Sequence, residues 1–353
     1  LEERLIESLQ MVAPGTMLRQ AIDNIVRART GALLVFADEA AVRPMISGGI
    51  DIDVELSPMI LYELAKMDGA ILLDKTGGHI IHANVQLMPD ASIESQETGT
   101  RHRTAERVAK QIGALCISIS AARDVVTIYI GNIRYIMEQI RTILDKADQA
   151  LQTLEKFKNR LNQVSTSLSA LEFEDAVTLY DVLSVLQRSE MVLVIVQEIE
   201  RYIIELGTEG RLVELQLEEL MVDVREDREA VLADYLPERA HEKLALARTA
   251  LGTLRSDELL SLSKLSEILG YEPGINAFEK HISPRGYRLL RKIPRLSRHA
   301  VEAMIERYGH LDGIIDASID DLASVEGIDL ARARDIKEGL ARLRELNLLE
   351  RYG

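Results

Sequence analysis

Glu97-Thr98-Gly99-Thr100-Arg101-His102-Arg103-Thr104-Ala105-Glu106-Arg107-Val108-Ala109-Lys110 opens a helix with cations where the helix dipole already places positive charge. Helix N-termini favour Asp and Glu by about 0.3–1 kcal/mol each, so Arg101, His102 and Arg103 in a first turn make sense when an anion sits there. Free backbone N–H groups, threonine hydroxyls, the permissive Gly99 and two guanidinium forks together form a phosphate cradle. The competing reading is a solvated basic turn balanced by Glu97 and Glu106.

Working outward, residues 1–130 mix strand and helix signals. Strands are expected at 32–37, 70–73, 79–87, 114–120 and 125–130, with helices near 57–67 and 102–112 between them. Ala13-Pro14-Gly15-Thr16 leads into a helix from Met17 to Val26, with Gly31 as its stop. Asp74-Lys75-Thr76-Gly77-Gly78 followed by a β-rich run reads as a hairpin, so the expected fold is a layered α+β domain with a mixed sheet. Beyond it, Ile133 opens a long stretch free of Pro and Gly, with heptad-like apolar spacing that predicts one projecting helix. Further amphipathic helices reach about 270, interrupted by Gly207, Gly210 and Pro237, and make an all-α spine over 131–282. Asp223 to Glu229 has mixed signs and reads as a solvated face.

The tail, 283–353, is a unit of short helices. Ile293-Pro294-Arg295-Leu296-Ser297 is echoed 32 positions on by Val325-Glu326-Gly327-Ile328-Asp329, so two related hairpins are implied. Each resembles the helix-hairpin-helix motif, which aims backbone N–H groups and a helix N-terminus at a DNA phosphate without reading bases. Arg285, Arg288, Arg291, Lys292, Arg295 and Arg298 form a cluster of six cations without an acid among them. DNA contacts are therefore expected from Arg288, Arg291, Lys292, Arg295 and Arg298, and from Gly327, Arg332 and Arg334 of the second copy. Asp329 stands where that motif has its second glycine and points a negative charge toward a phosphate, which predicts weaker binding by the second hairpin. Ser318 is the expected N-cap of the helix leading into it.

The chain has 353 residues and a net charge of −15, which argues against a general nucleic-acid coat and puts the weight on local basic surface. No run approaches the roughly 20 apolar residues of a membrane span, and the start lacks a signal-peptide pattern, so a cytoplasmic protein without membrane contact is expected. Cys116, the one cysteine, lies in an apolar run and reads as a buried, inert thiol. Zinc spacing, a Walker loop, a Gly-x-Gly-x-x-Gly run and a serine elbow are all missing. His79 and His82 lie three apart in a strand, which puts them on opposite faces and argues against a histidine metal site. What remains is Asp68, in Met67-Asp68-Gly69-Ala70 where a helix runs into a strand, together with the cationic cradle. That pair suits phosphoryl or nucleotidyl transfer, although Asp-Gly is also an ordinary turn. One Asp cannot fill a Mg²⁺ shell, so phosphates and water would complete it.

Asp68-Gly69-Ala70, then Gly99-Thr100-Arg101-His102-Arg103-Thr104, a helical spine and a tandem hairpin tail in this order resemble the DNA integrity scanning family of diadenylate cyclases over essentially the whole chain. The resemblance implies condensation of two ATP molecules into cyclic di-AMP with release of two pyrophosphates, dependent on Mg²⁺ or Mn²⁺, across two facing cyclase domains of a homo-octamer. It also implies binding of branched DNA such as Holliday junctions by the tail. By position, Asp68 would bind the metal and help activate the attacking hydroxyl. Gly69 and Ala70 would line the pocket, Thr100, Arg101, His102, Arg103 and Thr104 would hold phosphates, and Leu87, Ser120 and Arg123 would border the nucleotide. Ala121 and Ala122 stand where related chains often carry a further Arg after the serine. The alternatives are a DNA-junction scaffold whose first domain only senses nucleotide and, last, a simple ATPase; Asp68 separates the first from a cyclase, because a sensor needs no metal-binding carboxylate.

Overall fold

Alternation within short apolar strands builds the first unit. In a computed structural model, which describes residues 2–237 and 241–352, the strands are β1 (Ala32–Phe36), β2 (Ile46–Ser47), β3 (Ile50–Glu55), β4 (Ala70–Leu73), β5 (His79–Leu87), β6 (Leu115–Ile119), β7 (Val126–Ile130) and β8 (Ile133–Ile136). They form one sheet in the order β2-β5-β4-β1-β6-β7-β8, with β3 also paired to β5. β1 and β4 run parallel and the remaining pairs antiparallel, so the sheet is mixed as expected. β1, β4, β6 and β7 are buried along their whole length, which requires cover on both faces.

That cover comes from α1 (Glu2–Met11), α2 (Met17–Ala28), α3 (Glu39–Val42), α4 (Pro58–Leu64) and α5 (Thr100–Ile112). Leu34, Phe36, Ile71, Leu73, Ile117 and Ile119 pack against Leu9, Ile22, Ile25 and Leu61 of α1, α2 and α4. Their neighbours Leu33, Val35, Leu72, Cys116 and Tyr129 face Ala105, Val108 and Ala109 of α5, as the two-residue period of a strand demands. The Thr16 hydroxyl caps α2 by accepting from the Arg19 N–H at 3.1 Å. Cys116 is fully buried, and burial pushes its thiol pKa up, in line with an inert role.

The long helix starts later than its spacing predicts. Residues 133–136 form β8, pairing Ile133 with Ile130 and Arg134 with Tyr129, so a boundary at 130 would cut the sheet. The helix itself is α6 (Ile140–Phe173), followed by α7 (Leu179–Leu206), α8 (Arg211–Met221), α9 (Val224–Tyr235), α10 (His241–Gly252), α11 (Leu262–Leu269) and α12 (Ile275–Phe278). A 3₁₀ turn occupies Gly207–Gly210. The tail holds α13 (Tyr287–Leu290), α14 (Arg298–Tyr308), α15 (Leu311–Asp316), α16 (Ile319–Ala323) and α17 (Leu330–Tyr352). The chain divides into two compact units where three parts were expected: Leu1–Gln149 with Ile199–Leu215, and Ala150–Glu198 with Gln216–Gly353. In the first, the Tyr135 hydroxyl of β8 donates to Glu205 at 2.6 Å.

Within the second unit, the expected solvated face at 223–229 needs correction. Arg228 is buried and ion-paired with the buried Glu190 as well as with Glu229, because a mixed-sign run on an amphipathic helix still turns one side inward. The tail has its own core, including Leu290, Ile293, Val301, Met304, Leu322, Ile328 and Ile336.

Candidate nucleotide site and basic tail

The sheet's connectivity gathers the expected nucleotide residues at one edge. Ala32 pairs with Ile119, so the start of β1 lies beside the end of β6, where Ser120 and the turn holding Arg123 follow. Parallel pairing with β1 puts the start of β4, and hence Asp68, Gly69 and Ala70, at the same edge. Ala70 pairs with Val85, which brings in Leu87 at the end of β5. Gly69 has φ +90° and runs so close to β5 that a Cβ would fall 2.8 Å from the Val85 carbonyl oxygen.

The N-terminus of α5 is open. Gly99 is its N-cap and offers no side chain, and the first intrahelical bond runs from the Arg103 N–H to the Gly99 carbonyl at 2.9 Å. The N–H groups of Thr100, Arg101 and His102 thus precede the helical ladder and suit an anion. Arg101 reaches over Gly31, where a Cβ would collide with its guanidinium and sit 2.9 Å from the Ile119 carbonyl oxygen. Among the described residues Asp68, Arg101 and Arg123 have neither hydrogen-bond nor ion-pair partners, so three side chains at this edge are uncommitted. Thr104 Oγ1 donates to the Thr100 carbonyl at 3.0 Å.

His102 and Arg103 are tethered, through a residue that the sequence credited only with charge balance. Arg103 donates to the carbonyls of Glu97 and Thr98 at 3.3 and 3.2 Å. His102 Nδ1 lies 3.0 Å from the Tyr129 hydroxyl, which lies 2.8 Å from Glu97 Oε1, and Arg134 Nε donates to that same oxygen at 2.5 Å. Partial burial would raise the Glu97 pKa, but the hydrogen bonds from Tyr129 and Arg134 outweigh it and hold the carboxyl below its usual range. Burial lowers the His102 pKa; Glu97 opposes this, and Arg134, Arg101 and Arg123 reinforce it. Tyr129 and Arg134 carried no local signal, being in strands some thirty positions from the basic turn.

A divalent cation fits this edge only in part-protein form. Among the described residues no cluster of three or more His, Cys, Asp or Glu could hold a metal. Asp68 is an exposed, unpartnered oxygen donor, so an ion there would complete its shell from phosphate and water oxygens. His82 meets Asp51 at 2.8 Å and Glu39 at 3.4 Å, while His79 is exposed.

In the tail the two hairpins share a backbone. Arg295 and Gly327, 32 positions apart, both take left-handed conformations with φ 61° and 80°. Ser297 caps α14 by accepting from the Ala300 N–H at 3.2 Å, and Asp329 caps α17 by accepting from the Arg332 N–H at 2.7 Å. The Asp329 carboxylate therefore has a helix-capping role that its departure from the glycine pattern concealed. Ser318 caps α16 in a capping box with Asp321, as expected.

The six-cation cluster splits. Arg288 is corrected as a DNA contact: it is fully buried, pairs with Glu172 at 2.7 Å and donates to Ser165 and Ser169. Arg285 donates to the carbonyls of Ala233, Asp234, Leu236 and Pro237 at and just past the C-terminal end of α9, and Arg291 is half-buried and ion-paired with Asp227. Lys292, Arg295, Arg298, Gly327, Arg332 and Arg334 are exposed, with Arg298 also meeting Glu302 at 3.0 Å. No described helix is long and apolar enough to cross a membrane.

Comparison with known proteins agrees with the nucleotide-binding half of this description and with the helical region after it. Residues 19–133 match the family model for the DisA bacterial checkpoint controller nucleotide-binding region, and residues 137–278 match that for the DisA linker region. The DNA integrity scanning protein DisA of Bacillus licheniformis is 50% identical over 350 residues, covering 99% of this chain and 97% of its own. That of Carboxydothermus hydrogenoformans is 49% identical over 348 residues, covering 98% of each. That of Kineococcus radiotolerans is 48% identical over 352 residues, covering 99% and 98%. An open, arginine-lined helix start beside an unpartnered aspartate, on a chain alike to these proteins from end to end, makes this protein a member of the DNA integrity scanning (DisA) family.

Proposed function

We propose that the first domain is a diadenylate cyclase, joining two ATP molecules into cyclic di-AMP and releasing two pyrophosphates. The observation that carries this reading is the convergence of Asp68, Arg101 and Arg123, all unpartnered, with the free N–H groups of α5 on one sheet edge. The 3′-oxygen of one nucleotide attacks the α-phosphorus of the other, the bond to pyrophosphate breaks, and the hydroxyl proton leaves; the reverse pairing closes the ring. Arg101, Arg103 and the helix N–H groups bind the triphosphate and stabilise charge on the departing pyrophosphate. Thr100 and Thr104 add hydroxyl contacts, Gly69 and Ala70 line the pocket, and Leu87, Ser120 and Arg123 border the nucleotide. Asp68 orients the attacking hydroxyl. It would hold a Mg²⁺ or Mn²⁺ ion, which would supply neutralisation of the triphosphate charge.

Two nucleotides held in fixed opposition gain an effective-molarity advantage of about 7–11 kcal/mol at its limit, which one isolated site lacks. We therefore read the active form as a face-to-face pair of cyclase domains within a homo-oligomer, an octamer, in the cytoplasm. The exposed cations of the two hairpins support binding of branched DNA through its phosphates, with α6 and the helices after it as the spine between the two activities. The deciding experiment incubates purified protein with ATP and Mg²⁺ or Mn²⁺ and separates the nucleotides. Cyclic di-AMP should form, and Asp68→Asn should abolish it while ATP binding persists. Binding without any cyclic product would make the chain a nucleotide-sensing scaffold, and ADP alone would make it an ATPase.

A further inference from the structure

The hydrogen-bond chain behind the basic turn fixes more than a ring's position. A carboxylate donates nothing, so the single Tyr129 hydroxyl proton goes to Glu97, 2.8 Å away. The Tyr129 oxygen is left as an acceptor toward His102 Nδ1 at 3.0 Å, and that contact is a hydrogen bond only when Nδ1 carries the hydrogen. Burial, then the hydrogen bond to Glu97 and its charge, raise the Tyr129 pKa and keep the hydroxyl intact. His102 therefore holds its Nδ1–H toward Tyr129, and Nε2 is the position whose protonation can change.

The groups acting on this ring come from every side: Glu97 ahead of α5, Arg101 on α5, Tyr129 on β7, Arg134 on β8 and Arg123 in the turn between β6 and β7. Three guanidinium groups against one carboxylate, with half-burial added, favour the neutral imidazole when no anion is present. Its Nε2 is then an acceptor, and phosphate oxygens are acceptors too. A polyphosphate at this turn reverses the local charge and can be hydrogen-bonded by His102 only through an Nε2–H. We propose that nucleotide binding draws one proton from solvent onto His102 Nε2, and that Glu97 and Tyr129 are positioning residues that hold Nδ1–H and stabilise the resulting imidazolium. This rests on the nucleotide reading of the first domain and adds to it a coupled protonation.

The test is calorimetric titration of the full chain with α,β-methylene-ATP in excess Mg²⁺ at pH 7.5, in two buffers of different ionisation enthalpy. The heats should differ by an amount approaching one proton taken up per nucleotide, and affinity should weaken by up to about tenfold per pH unit as pH rises. Glu97→Gln should lower the uptake by at least half. Because Tyr129→Phe could disturb folding, the unaltered protein supplies the second readout. Magic-angle-spinning ¹⁵N spectra of sedimented, histidine-labelled protein should show His102 as neutral with Nδ1–H before the analogue is added and as imidazolium after it. Tight binding with buffer-independent heats, or an Nε2–H tautomer in the nucleotide-free protein, overturns the proposal and leaves the nucleotide reading standing. Failure of the analogue to bind at all overturns both.

Discussion

Gly31 shows how closely the nucleotide edge is packed. It follows α2 with φ +69°, and the space of its missing side chain is taken by Arg101 and by the backbone of Ile119 and Ala121. Gly31→Ala should cost about 1–2 kcal/mol of stability from the left-handed backbone alone. Displacing Arg101 should further weaken ATP-analogue binding by about tenfold, the loss of one charge-assisted hydrogen bond. A thermal melt and a titration read the two effects separately; unchanged analogue affinity would remove Arg101 from the phosphate site. In the sequence Gly31 was legible only as a helix stop, since its neighbours lie about seventy positions and more downstream. Arg101 was legible because a cation in the first turn of a helix points to an anion; Asp68 and Arg123 also read as ordinary turn residues and took their site roles only from the family resemblance, and Tyr129 and Arg134 were not legible because only strand pairing brings them to Glu97.

At the level of single elements, spacing sorts the cations of the tail. Arg285, Arg288 and Arg291 recur every three residues and turn inward, to the carbonyls at the C-terminal end of α9, to Glu172 of α6 and to Asp227 of α9. Lys292, Arg295 and Arg298 repeat the same spacing and stay exposed. The sequence showed six like charges, and the three-residue stripe that divides them was there to be read. Asp234 completes the inward attachment by accepting from the N–H groups of Gly286, Tyr287 and Arg288 at 2.7, 2.7 and 2.9 Å, although burial and Glu172 push its pKa up to about 7. Arg288→Ala strands the buried Glu172 and should cost about 3–5 kcal/mol. Adding Glu172→Leu to Arg288→Met should recover part of that loss in chemical denaturation, and no recovery would mean that the pair is not the source. Three strands were missed, the two-residue β2 for its shortness and the other two for opposite reasons. Ile50-Asp51-Ile52-Asp53-Val54-Glu55 alternates as a strand should but is rich in acids that disfavour β structure. Ile133 and Ile136 fall at helical spacing with the apolar residues that follow, and pairing with β7 overrides it.

For the molecule as a whole, a net charge of −15 coexists with an exposed basic stripe on the tail, so overall charge is a poor guide to where DNA can settle. Arg295→Ala with Arg298→Ala should weaken junction binding and lower the log–log salt slope by about two, near 0.9 for each phosphate no longer neutralised. An unchanged slope would put the DNA on a different face of the tail. The tandem hairpins and the mixed sheet could be foreseen from the sequence, while the tail and most of the spine helices share one unit in which the buried Arg288, whose destination no local pattern announces, is one of several attachments.

The lone thiol of Cys116, sealed between β6 and α5, leaves the folded surface with no native target for maleimide chemistry. A cysteine introduced at an exposed position such as Glu326 becomes the sole handle for a dye, spin label or cross-linker, so movements of a hairpin can be followed in the otherwise unaltered chain.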